Sequence, residues 1–326
     1  MSSTIRWGIL STAKIGRKLI RGIGTSTGNC VQAVASREWT RASEFAKECG
    51  VPRAFGSYED MLGSGEINAV YNPLPNSMHL EWTIKALEAG LPVLCEKPFA
   101  LNAEEARQIA AAAKQANRPV AEAFMYRFHP IYQHILDTIA EGRIGKVMMV
   151  RSAFTFRLPN RSNIRWSPVL GGGALMDIGC YCVNIARLIT GAEPVRAEAI
   201  QRHDGVDGTT IGVLEFPGRV LSHFECSFEQ HARAYAEIEG TDGVIVLPKP
   251  WFPGEQTAEF VIKYDDREER IAVPGADTYQ LEVEDFGDAC TTRRAPRWTI
   301  DDAIANMAVL DALSLSAKEG HAVEVS

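Results

Sequence analysis

Through the first 125 residues, short apolar runs alternate with stretches whose apolar positions recur every three or four residues. The runs predict strands at Ile5 to Leu10, Val31 to Ser36, Ala69 to Tyr71, Val93 to Cys95 and Val120 to Phe124. Helical patterns lie between them: Thr40 to Cys49 ends at Gly50, Ser77 to Ala89 ends at Gly90, and Asn102 opens a helix with Glu105 three residues on as a capping box. Strand and helix in this order predict an α/β unit with a doubly wound parallel sheet, whose ligands bind at the carboxyl ends of the strands.

The rhythm changes after Tyr126. From Lys146 the chain reads as successive strands: Val147 to Arg157, Val195 to Arg202, Thr210 to Phe216, Val220 to Phe228, Tyr235 to Gly240, Val244 to Leu247 and Phe260 to Tyr264. Few helices intervene until Leu281 to Thr291 and Asp301 to Lys318, so a second, α+β domain with an open, mainly antiparallel sheet is expected. The division expected is 1–125 and 126–326. Along Val220 to Phe228, Val220, Ser222, Phe224, Cys226 and Phe228 share one face, and His223, Glu225 and Ser227 the other. The less polar face is expected to meet another copy of the chain, as a homodimer or homotetramer.

Composition narrows the function. A chain of 326 residues with a net charge of −7 lacks the basic footprint of a nucleic-acid binder. No apolar stretch runs uninterrupted for the eighteen or so residues of a membrane span, and the N-terminus lacks a signal peptide's basic and apolar regions, so a cytoplasmic protein is expected. Seven scattered cysteines, an odd set in apolar segments, suit reduced core thiols and not a disulfide framework. Cys180 and Cys182 point to different sides of a helix, and neither HExxH nor paired CxxC occurs, so no metal site is expected.

The candidate chemistry falls at strand ends. After the first strand stands Gly8-Ile9-Leu10-Ser11-Thr12-Ala13-Lys14-Ile15-Gly16. Against G-x-G-x-x-G this gives Ser11, Ala13 and Gly16, a turn still sterically open that leads to a helix N-terminus able to donate to phosphates. Taken alone the motif is weak, and its other reading is a tight strand-to-helix turn with no ligand. The second strand ends Ala35-Ser36-Arg37, with Arg41 close behind, where an enzyme for NAD places an acid; a hydroxyl and guanidinium groups suit the 2′-phosphate of NADP instead. Two arginines are otherwise an ordinary solvated face. Glu96-Lys97-Pro98 closes the strand at Val93 to Cys95, and Gly171-Gly172-Gly173 leads to Asp177 and Tyr181, one helical turn apart. A cation, an orienting carboxylate and a phenol are parts for oxidising an alcohol. A free tyrosine, with a pKa of about 10, is a poor base at neutral pH, and a lysine ammonium nearby stabilises its phenolate.

These motifs, with Asn72-Pro73-Leu74-Pro75-Asn76-Ser77-Met78-His79 and Glu122-Ala123-Phe124-Met125-Tyr126-Arg127-Phe128-His129-Pro130, resemble the glucose-fructose oxidoreductase, inositol dehydrogenase and MocA family, and occur in its order. The resemblance implies an N-terminal Rossmann domain, a C-terminal domain with an open sheet, and a pyridine nucleotide. Tyr181, where much of the family has histidine, is similar to the branch of NADP-dependent xylose dehydrogenase and dimeric dihydrodiol dehydrogenase. By that carry-over Tyr181 is the acid/base, Lys97 its support and Asp177 a neighbouring polar group. Ser11, Thr12, Ala13, Lys14, Ile15, Ser36, Arg37, Arg41, Pro73, Leu74, Asn76, His79, Glu96 and Lys97 become candidates for the cofactor, with Arg127, His129, Arg165 and Trp166 as weaker cleft contacts. A sugar, polyol or trans-dihydrodiol substrate is expected. The alternative is a non-catalytic dinucleotide-binding regulator on the same fold.

Overall fold

The computed structural model describes residues 4–326, so the first three residues of the expected 1–125 domain lie outside the described residues. The chain divides into two compact units, one running to Met125 and taking in Asp277–Ile304, the other formed by Tyr126–Ala276 and Ala305–Ser326. The first contains β1 (Ile5–Leu10), α1 (Lys14–Thr25), β2 (Asn29–Ala35), α2 (Trp39–Cys49), β3 (Arg53–Phe55), α3 (Tyr58–Leu62), β4 (Ala69–Asn72), α4 (His79–Glu88), β5 (Val93–Glu96), α5 (Ala103–Ala116) and β6 (Val120–Ala123). Its six strands are all parallel, in the order β3-β2-β1-β4-β5-β6. The order reverses between β1 and β4, the point at which open α/β sheets form a ligand crevice.

The second unit holds α6 (Pro130–Ala140), β7 (Val147–Thr155), α7 (Cys180–Thr190), β8 (Arg196–Asp204), β9 (Val206–Glu215), β10 (Leu221–Ser227), β11 (Arg233–Gly240), β12 (Val244–Leu247), β13 (Ala258–Lys263) and β14 (Glu268–Val273). α8 (Thr278–Thr292) follows in the first unit, and α9 (Ile300–Glu319) and β15 (Val323–Glu324) end the chain. The span 277–304 therefore departs from the expected 126–326 domain. The reason is packing: Phe286 of α8 sets its ring 5.7 Å from Trp7 of β1. At Gly22 of α1 an added Cβ would lie 2.8 Å from the Gln280 backbone nitrogen, so the glycine lets the two helices touch backbone to backbone.

The second unit's nine strands run β14-β13-β12-β11-β7-β10-β9-β8-β15. β10 lies parallel to β7 and the other pairs are antiparallel, a mixed and mostly antiparallel sheet. One face is covered from within the chain: a Cβ on Gly179 would lie 2.9 Å from Cys226 Sγ, and one on Gly212 would meet Phe224 and Leu313 of α9. Ser222, Phe224 and Cys226 are accordingly buried, while His223 is exposed and Glu225 half-buried. This corrects the expectation that the less polar face meets another copy. The face left open is the mixed one. One helical stretch among the described residues, Pro168–Thr190, is long and apolar enough to cross a membrane, but two thirds of its apolar window (67%) is buried inside the protein. None of the seven cysteines is in a disulfide.

Candidate active site

In the first unit the loop after β1 turns through Ser11, whose φ of 74° is left-handed, a conformation ordinarily left to glycine. Ser11 offsets the strain locally. Its N–H donates to Ala35 O at 2.9 Å and its Oγ accepts from Ala13 N–H at 3.2 Å. Helix α1 then starts without a side-chain cap and with no acid in its first turn, so its leading N–H groups keep their positive end for an anion. Thr12, Ala13 and Ile15 are half-buried there, and Lys14 is exposed. At the end of β2, Ser36 is buried, gives its N–H to Phe55 O at 3.1 Å and accepts from Glu38 N–H at 3.5 Å. Arg37 beside it is exposed, whereas Arg41 pairs with Glu38 at 3.0 Å on the helix surface.

The ends of β4 and β5 are tied together by a residue read as a cofactor contact. His79 is fully buried, with Nδ1 2.9 Å from Pro98 O and Nε2 2.8 Å from Leu74 O. Burial pushes its pKa down to about 4, and the Lys97 charge adds to the effect. The neutral ring has one N–H to donate to one of these two carbonyls and packs against the other, so His79 sits between the segment that carries Pro73, Leu74 and Asn76 and the loop after Lys97. Asn72, also buried, donates to Thr83 Oγ1 at 3.1 Å and accepts from Leu74 N–H at 3.3 Å. Glu96 accepts from the Tyr71 hydroxyl and from Lys97 N–H, and Glu122 accepts from Phe99 N–H at 2.9 Å. Lys97 itself is half-buried, at the head of a loop held on both sides.

In the second unit Asp177 and Tyr181 stand on a helix with an unusual start. Residues Leu175–Gly179 form a π-turn, in which Cys180 N–H reaches back to Leu175 O, before α7 begins. Such turns recur at functional sites. Asp177 accepts from Arg165 Nε at 2.6 Å, an ion pair in which Asp177 is 15% exposed. That neutralises a carboxylate which, unpaired, would oppose a phenolate on Tyr181. Tyr181 is 5% exposed and ringed by Phe154, Trp251 and Tyr126, with centroids 5.5, 5.5 and 5.7 Å away. The Tyr126 hydroxyl donates to Asn184 Oδ1 at 2.5 Å, three residues beyond Tyr181 on the same helix.

Trp166 and Arg127 do not stand open as cleft contacts. Trp166 is 7% exposed, gives its indole N–H to Leu158 O at 3.0 Å and packs on Phe228, with the Arg161 guanidinium 3.7 Å above its ring. Arg127 is 4% exposed. The Trp166 ring is held inward by this packing and by its own N–H bond. Sequence reasoning missed Asn184, Phe154 and Trp251. Asn184 was within reach, three positions from Tyr181, but nothing near Trp251 marks it as part of this cluster.

Comparison with known proteins identifies the family. Residues 5–124 match the oxidoreductase family with an NAD-binding Rossmann fold, and residues 132–246 the GFO/IDH/MocA C-terminal domain. The chain belongs to the GFO/IDH/MocA oxidoreductase family. It is 38% identical over 324 residues to D-xylose 1-dehydrogenase (NADP(+)) 2 of Haloferax volcanii, covering 98% of this chain and 99% of that one. It is 34% identical over 257 residues to the trans-1,2-dihydrobenzene-1,2-diol dehydrogenase of Mus musculus, covering 77% of each. Among solved structures, a 3-ketoreductase from Actinomadura kijaniata in complex with NADP and TDP-benzene superposes with a TM-score of 0.92 at 28% identity, over 96% of this chain and 98% of that one.

Proposed function

We propose that this oxidoreductase uses NADP to interconvert a carbinol and a carbonyl on a sugar or polyol, a pentose such as D-xylose being the first substrate to try. The observation that carries the reading is the pairing of Asp177 with Arg165 one turn before Tyr181, which leaves the carboxylate an orienting group and the phenol the proton carrier. When bound, NADP would supply the hydride acceptor for oxidation or the hydride donor for reduction. The uncapped start of α1 would hold the pyrophosphate, and Ser36 with Arg37 the 2′-phosphate. Tyr181 takes the hydroxyl proton as the hydride leaves, and gives it back in reduction. Lys97 supports the phenolate. The 38% identity to the xylose dehydrogenase over 98% of this chain favours the sugar.

A second reading, oxidation of an aromatic trans-dihydrodiol, is favoured by the aromatic rings packed around Tyr181 and by the dihydrodiol dehydrogenase relative. NADP reduction followed over aldoses and dihydrodiols separates the two. The proton role is tested on the substrate so found: Tyr181→Phe keeps NADP affinity and loses about 10² to 10⁴ in kcat, because it removes a transition-state interaction. Lys97→Met depresses the rate and moves the alkaline-going limb of the pH profile upward. Near-normal turnover of Tyr181→Phe with an unchanged profile sinks the assignment.

A further inference from the structure

Strand β9 carries a buried carboxylate outside the residues assigned above. From Thr210 onward β9 alternates regularly: Ile211 and Val213 face out and are exposed, while Thr210, Gly212 and Leu214 face in. Continued backwards, that alternation would send Asp207 outward with Ile211. The pairing with β8 slips by one residue here, since Arg202 faces Thr209 but His203 faces Asp207, so Gly208 is an extra residue, a β-bulge. A bulge re-aims the side chain beside it. Asp207 therefore points inward and is 7% exposed.

It lands on the start of the helix that bears Asp177 and Tyr181. Asp207 Oδ2 accepts from Leu175 N–H at 2.7 Å and from Thr210 Oγ1 at 2.7 Å. Leu175 opens the π-turn, so Asp207 caps from a neighbouring strand a helix end that has no side-chain cap of its own. The fit requires glycine: at Gly173, with φ of 120°, a Cβ would lie 2.1 Å from Asp207 Oδ1. The same glycine gives its N–H to Arg165 O at 2.9 Å and accepts from Asp177 N–H at 3.0 Å. A Cβ on Gly172 would lie 2.4 Å from Arg165 O. The triple glycine is thus pressed between Asp207 and the Arg165 backbone, and the π-turn starts from that clamp. A carboxylate is costly to bury, and here its two hydrogen bonds are given by the helix start and by a threonine on its own strand.

We propose that Asp207 is a positioning residue for the reaction, clamping the Gly171–Gly173 turn so that the π-turn presents Asp177 and Tyr181 in register. The inference rests on the reading of Tyr181 as acid/base, and a double-mutant cycle keeps the two apart. Asp207→Ala is made in the wild-type and Tyr181→Phe backgrounds, with kcat on the substrate identified above and NADP affinity measured below the melting temperature of each. The expected result is a fall in kcat of about tenfold or more in the wild-type background and less than about threefold in Tyr181→Phe, with NADP affinity unchanged, because a residue acting through Tyr181 has nothing left to position. An equal fall in both backgrounds, a fall that follows NADP affinity, or no fall with Tyr181→Phe inactive overturns the positioning role alone. A Tyr181→Phe enzyme at wild-type rate overturns both. If Asp207→Ala fails to fold, Thr210→Val, which removes one of the two bonds to Oδ2, is put through the same cycle under the same criteria.

Discussion

A buried imidazole between two carbonyl oxygens sets a condition on pH. His79 has lost its solvent and sits near the Lys97 charge, and both effects oppose protonation, so its pKa falls to about 4. The unfolded chain binds the proton near pH 6.5 and the folded chain does not, so the stabilisation is complete above about pH 6.5 and is lost as pH falls towards 4. Two to three pKa units correspond to about 3 kcal/mol. Replacing His79 with Gln should therefore flatten the fall in unfolding free energy between pH 7 and pH 5 measured in urea, and parallel wild-type and variant curves would refute it. At the end of β2, Arg37 is the exposed cation beside the buried Ser36. A charge-assisted hydrogen bond contributes about 1.5 to 3 kcal/mol, so Arg37→Ala should weaken NADP about tenfold or more and leave NAD nearly unchanged. Equal losses for both cofactors, read by titration, would remove the role. Arg41, engaged with Glu38 on an exposed helix face, should matter less.

At the level of elements, the contact between α1 and α8 is the most sharply specified. With backbone atoms of Tyr279 and Gln280 2.8 Å from where a Cβ would sit, Gly22→Ala must push the helices apart. Overpacking of this kind costs about 1 to 3 kcal/mol, and a thermal melt of the variant within a degree of wild type would contradict it. That contact also shows where the sequence stops being legible. Leu281 to Thr291 is readable as a helix from its own periodicity, but its grouping with the first unit depends on Phe286 meeting Trp7, a relation across almost the whole chain. Strands β1, β2, β4, β5 and β6 were legible because a parallel sheet buried on both faces leaves near-continuous apolar runs. β14, with Glu268, Glu269 and Arg270, and β15, two residues long, carry no such run because they lie at the sheet's edges. Asp177 and Tyr181 stood out by spacing, and the triple glycine by composition. The π-turn and the bulge at Gly208 did not, since each is one residue of slippage fixed by partners elsewhere in the fold.

For the molecule as a whole, the open question of assembly falls on the sheet face that the chain's own helices leave bare. Ile200, Ile211, Val213 and Leu221 are 76%, 52%, 44% and 40% exposed, and Ile200 faces Ile211 across the β8–β9 pair. Alongside run charges already matched within the sheet, Arg151 with Glu239 at 2.7 Å and Arg233 with Glu225 at 2.8 Å. An apolar strip bordered by internally neutralised charges can be covered without stranding an ion, which is the usual anatomy of a contact between copies. A net charge of −7 works against association elsewhere on the surface, so the strip is where a second copy gains most. The expected state is a homodimer, or a homotetramer built from it, at micromolar concentration. Ile211→Glu should break it, because a charge placed opposite Ile200 would be buried unpaired at the centre of the contact. Sedimentation velocity reads both: a monomeric mass for the wild type, or a variant that assembles as the wild type does, would move the interface off this face.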